Sequence, residues 1–157
     1  MAVVYPISAV TKKDKEDGKM TIGKEGREML KGIFGMTDQD IDKIGPDRAK
    51  LLASAPELFS YKITAEVVAS KYCAAQLKVG DKLVFNANVL NKEESTAPPC
   101  IGALAPLMEP IHMMFDRLSE GLDPNGLWTR TVSCFDPGIE RGGIGNVVFK
   151  LTAEKMG

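Results

Sequence analysis

The chain has 157 residues, 44% hydrophobic and 26% charged, which is enough for one domain with a real hydrophobic core. With 20 basic and 21 acidic side chains its formal net charge is -1, so it offers no electrostatic footprint for nucleic acid and no polybasic surface for anionic lipid. The apolar start MAVVYPISAV is short, has no basic region before it and runs into charges from Lys12 to Asp17, so neither a signal peptide nor a membrane span is expected.

In chain order, residues 11–31 (TKKDKEDGKMTIGKEGREMLK) are densely charged with scattered apolar positions. That pattern predicts a solvated surface arm, helical in part at most. In MTDQDIDKIGPDRAKLLASAP, Thr37 or Asp38 suits the cap of a short turn running to Ile44. Pro46 and Asp47 suit the first turn of a second helix carrying Ala49, Leu51, Leu52 and Ala55, with Pro56 as its end. Helices this short need a surface to dock on, and Ile41, Ile44, Leu51 and Leu52 are the side chains available for it.

From Ser60 the pattern changes. YKITAEVVAS alternates Tyr61, Ile63, Ala65 and Val67 against polar neighbours, and KVGDKLVFNANVL adds a β-rich run after a Gly80-Asp81 turn. NKEESTAPP reads as a polar loop. Beyond Cys100, a helix face is traced by Ile101, Leu104, Met108, Ile111, Phe115 and Leu118, with a regular helix expected from Pro110 to Leu118 because Pro106 and Pro110 interrupt it earlier. DPNG at 123–126 is a turn, LWTRTVSC a strand and GNVVFKLTAEK the last strand. The expected architecture is α+β: an antiparallel β-rich domain over 59–157 with one main helix, preceded by a short helical N-terminal extension over 1–58.

The stretches EVVASKYC, AAQLKVGDK, PPCIGALAPL, GLDP and SCFDPGIERGGIGNVVF carry a resemblance. Together they are similar to a small uncharacterised prokaryotic family marked by Cys, then Gly-Asp, then a Cys before a helix, then Cys-x-Asp, matched over roughly residues 36–155. The resemblance implies a fold and a site position and carries no assigned activity. Members of that family often have His where this chain has Leu77.

Three cysteines, an odd number without short regular spacing, do not form a disulfide framework, and reduced thiols in the cytoplasm are expected. Cys73, Cys100 and Cys134 fall at predicted element ends, where loops can bring thiolates together on a soft cation such as Zn²⁺, with Asp136 a candidate fourth ligand. The competing expectation is that they are unrelated packed or redox-active thiols, since free cysteine behaves as a small hydrophobe. His112, the single histidine, lies on the helix with Met108 and Phe115 as a candidate ligand or partner face; packing there is the plainer use. Gly138, Gly142, Gly143 and Gly145 precede a strand rather than a helix, so they predict a wide hairpin and not a nucleotide-binding loop. Two functions follow as expectations. One is an accessory or structural subunit of a larger cytosolic enzyme complex, held by its N-terminal helices or by self-association and carrying a cysteine-based metal site. The other is a small enzyme or ligand-binding protein using Cys134 and Asp136 with His112 or a bound metal.

Overall fold

The computed structural model describes residues 11–13, 20–53 and 55–156. The chain divides into two compact units, Met1–Leu58 and Phe59–Gly157.

In the first unit the described parts of the charged stretch carry regular structure. Strands β1 (Thr11–Lys13) and β2 (Met20–Ile22) pair antiparallel, and α1 runs over Lys24–Phe34. Its Met29 and Leu30 are buried and meet Ile41, with Ile22, Met36, Ile44 and Leu52 packed around them. Two of its charges pair with the helix that follows. Arg27 reaches Asp38 at 2.9 Å and Asp42 at 2.8 Å, and Lys31 reaches Asp38 at 2.8 Å. Gly35 closes α1 in the left-handed region, φ 64°, donating its N–H to the Lys31 carbonyl. Helix α2 (Asp38–Ile41) starts at Thr37, whose hydroxyl accepts the Asp40 N–H. Then α3 spans Pro46–Ala53 and α4 spans Ala55–Phe59. Pro56 therefore lies in the first turn of a new helix, where a missing N–H costs nothing, instead of ending the previous one. Leu51 also departs from expectation, since it is exposed while Ile41 and Ala49 are buried.

The second unit is α+β. Its five-stranded antiparallel sheet has the order β5-β4-β3-β7-β6, built from β3 (Tyr61–Lys71), β4 (Lys82–Asn86), β5 (Val89–Leu90), β6 (Thr131–Ser133) and β7 (Asn146–Lys155). The long central pair β3 and β7 runs from Tyr61↔Lys155 to Lys71↔Asn146 with a bulge between Val67 and Ala69. Alternation sends Ile63, Ala65, Val67, Leu83, Phe85, Val147, Phe149 and Leu151 to one face. The second β-rich run folds into two strands because Ala87, at φ 49°, turns the chain between them. LWTRTVSC contributes only three residues of strand.

Helix α5 covers that face and is continuous over Ile101–Ser119, through both prolines. Its buried side is Ala103, Leu107, Ile111, Met114 and Leu118, so the core stripe lies beside the one the apolar spacing suggested. Ile101 and Met108 are exposed instead. The helix survives Pro106 because the carbonyl that Pro106 cannot serve, that of Gly102, accepts the Phe135 N–H at 2.9 Å. Among the described residues no helix is long and apolar enough to cross a membrane.

Candidate functional site

The glycine-rich connection between β6 and β7 is organised by one carboxylate. Oδ1 of Asp136 accepts the N–H groups of Gly138 (3.1 Å) and Ile144 (3.0 Å), and Oδ2 accepts that of Gly145 (2.9 Å). These backbone donors, Gly145 foremost and then Gly138, hold the Asp136 carboxyl below the usual carboxylate range against the opposing effect of burial. The Asn146 amide closes the loop by donating to the Asp136 carbonyl at 2.8 Å. Gly138 and Gly142 take φ of 85° and 84°, which only glycine adopts freely. At Gly143 a Cβ would overlap Asp136 Oδ1, and at Gly145 it would overlap the Tyr72 carbonyl. The glycines therefore let the loop close around Asp136 while its end packs on the backbone after β3.

This closure sets the position of Cys134. Its N–H donates to the Val147 carbonyl at 2.8 Å, its sulfur accepts the Val147 N–H at 3.3 Å, and its thiol faces the Asp136 carbonyl at 3.6 Å. Cys100 occupies the N-cap position of α5, with no side-chain hydrogen bond there. Cys73 follows Tyr72, a residue held at φ 51°, and precedes Gln76 at φ 58°. Leu77 then returns to the core, and its carbonyl accepts the Ser70 hydroxyl at 2.6 Å.

Cys73, Cys100, Cys134 and Asp136 line one cleft of about 150 Å³, whose walls are completed by Tyr72, Leu77, Ala103 and Val147, with others. All three cysteines are half-buried and free. Sulfur is thus the dominant donor chemistry of the cleft, and the oxygens of Asp136 are already engaged by backbone N–H groups. Among the described residues, no three His, Cys, Asp or Glu side chains stand at the spacing needed to hold a metal ion. Leu77 is an apolar part of the wall.

His112 is exposed on α5 and does not line this cleft. Met108 is exposed as well, and Phe115 is half-buried and packs against the core; at helical spacing the three lie along one side of α5, and none of them lines the cleft. A second cleft of about 250 Å³ shares Gly145 and Asn146 with the first and is lined by Lys71, Glu140 and Arg141. There Lys71 pairs with Glu140 at 3.0 Å, which holds the Lys71 pKa up and that of Glu140 down, and no sulfur is present among its lining residues.

Sequence reasoning missed Gly102, Phe135 and Tyr72 as builders of the cleft. For Gly102 a signal existed, because a proline in a helix frees the carbonyl four residues earlier. For Tyr72 there was none, since nothing in its residue type announces a positive φ. Tyr72, which lines the cleft, and Ile101, Phe135 and Ile144, each next in sequence to a lining residue, are exposed apolar side chains. No family model, no curated protein and no solved structure matches this chain.

Proposed function

We propose that the protein is a noncatalytic accessory module of a larger cytosolic assembly, and that its three-thiol cleft takes one thiophilic cation such as Zn²⁺. The observation that carries this reading is the meeting of Cys73, Cys100 and Cys134, from three separate segments, at one cleft. Size favours an ion: pockets for organic ligands run to roughly 300–1,000 Å³, against about 150 Å³ here. Charge supports it too, because a divalent cation on three thiolates carries net negative charge and Cys100 stands at the N-terminal end of a 19-residue helix, whose dipole favours that sign.

Loading draws the sulfurs together, and Cys73 is the natural one to move, since it lies in the loop past the end of β3 and its described backbone hydrogen bond stays within its own turn. The fourth position is then filled by water or by a group from a partner, and the exposed apolar side chains of Tyr72, Ile101 and Phe135 offer that partner surface to bury. The geometry weighs against Cys134 and Asp136 working with His112 as nucleophile and base, because the Asp136 oxygens hold the loop and His112 is outside the cleft.

The test is the metal content of protein purified without oxygen, followed by Zn²⁺ titration of the reduced, metal-free chain. One equivalent of tightly held metal, lost in C73S, C100S and C134S, is expected. A reduced chain that takes up no thiophilic metal refutes the metal site. A native protein that elutes on its own as a small species from size-exclusion of a cell extract refutes the accessory role.

A further inference from the structure

We infer that Cys100 and Cys134 form an oxidative modification site, closing a disulfide that bridges the start of α5 to the β6–β7 loop while Cys73 stays free. Three observations select this pair. Both residues line the same cleft, and both thiols are free and half-buried. The backbone already ties their segments together, since the Phe135 N–H, one residue after Cys134, donates to the Gly102 carbonyl, two residues after Cys100, at 2.9 Å. Cys134 is also held in place on its other side by Val147, so its sulfur has a fixed position from which to react. A disulfide needs two sulfurs only, so it makes no demand for the three-ligand spacing that the described residues lack. Cys73 has no such tie to either partner among the described backbone hydrogen bonds; its carbonyl accepts the N–H of Gln76 within its own turn.

The oxidant is a hydroperoxide, hydrogen peroxide in the simplest case. One thiolate sulfur attacks a peroxide oxygen, the O–O bond breaks, and a sulfenic acid and water result. The second sulfur then attacks the sulfenic sulfur, the S–OH bond breaks and another water leaves. Two thiols and one peroxide give one disulfide and two waters, with two electrons passing from sulfur to oxygen. The consequence for the cleft rests on the proposed metal site: the disulfide withdraws two of three donors, and the cation is released. Oxidation state would then set occupancy.

The experiment uses the full chain, reduced and metal-free, treated with a small excess of hydrogen peroxide. Trypsin places each cysteine on its own peptide, Cys73 within 72–78, Cys100 within 93–117 and Cys134 within 131–141. The expected result is a mass loss of about 2 Da and a linked pair of the second and third peptides. C73S should behave alike, and C100S and C134S should lose the internal link. Three thiols still titratable after treatment, a link that includes Cys73, or bridges only between chains would overturn the assignment. Zn²⁺ titration of the same samples separates the two proposals. Oxidised protein binding at least about tenfold more weakly than reduced protein supports the coupling, and equal binding overturns it. A reduced chain that forms the link but binds no Zn²⁺ refutes the metal site and leaves the modification site standing.

Discussion

Asp136 shows how one side chain can be prominent in sequence for a reason other than its apparent one. Beside Cys134 it looked like a ligand, and it is the anchor of three backbone N–H groups. Its folded-state pKa lies below the ordinary value, so its contribution to stability is complete above the unfolded value near 4 and fades as pH falls through the lower folded value. Urea midpoints measured from about pH 5 down to pH 2 should therefore fall more steeply in the wild type than in Asp136→Asn, which starts lower and changes less. Matching slopes would remove Asp136 as the acid-sensitive group. Gly145 makes a separate prediction. A methyl group there meets the Tyr72 carbonyl, an atom of rigid backbone, so Gly145→Ala should cost about 1–3 kcal/mol by chemical denaturation. The glycine cluster announced close approach in the sequence, but what it approached could not be read, because the contact joins Tyr72 and Gly145, far apart in order and adjacent only in the fold.

At the scale of elements, α5 and the sheet edges replace missing backbone hydrogen bonds with tertiary ones. Proline spacing argued for a helix starting at Pro110, which assumed that an unserved carbonyl must break the helix. Here a loop N–H replaces the missing donor, so the lost bond becomes a tertiary one. Pro106→Ala restores an intrahelical N–H that competes for the Gly102 carbonyl. Its expected mark is a loss of hydrogen-exchange protection at Phe135 of about tenfold or more, with helix content unchanged. Unchanged protection would mean that the Phe135 bond does not depend on the proline. The strand edges are closed by side chains in the same way. Asn125 exchanges two hydrogen bonds with Ala153 at 2.9 Å each, standing in for a further strand, and the hydroxyls of Ser95 and Thr96 accept the N–H groups of Val84 and Lys82. Asn125→Ala should cost about 1–3 kcal/mol, because it strands both backbone groups of the buried Ala153 and takes a partner from Arg130. A heat-denaturation midpoint equal to that of the wild type would show that water serves the edge as well as Asn125 does.

Over the whole molecule, the period-two pattern from Tyr61 and from Asn146 was enough to expose the strands, since one face of each is buried and the other is not. In the charged N-terminal stretch the helical part was legible, but ion pairs such as Arg27 with Asp38 and Asp42 were not, because they join positions that sequence spacing does not connect. The apolar stripe of α5 shifted for a related reason: Ala103 and Met114 are buried by the sheet they face, and hydrophobicity alone ranked Ile101 and Met108 above them. The main core draws only on residues of Phe59–Gly157, and a separate small core serves the first unit. A chain of residues 59–157 alone should therefore melt in one cooperative transition with native-like near-ultraviolet circular dichroism; a broad, non-cooperative melt would show that it depends on the first unit.

The pairing of β3 with β7 has a consequence in time as well as in stability. These strands come at opposite ends of the second unit, and the Met156 N–H reaches the Ser60 carbonyl at 2.7 Å. Nearly the whole unit must be ordered, or its loop entropy met, before the central pair can form, which makes the fold slow for its size. Joining Met156 to Ser60 through a short glycine-rich link, and opening the chain at the exposed Asn88, converts that distant pair into a local hairpin with every native contact of the sheet retained. Stopped-flow refolding of this circular permutant should be about tenfold faster or more than that of the linear chain, with the unfolding rate little changed, so the order of the strands along the chain governs how quickly the thiol cleft comes into being.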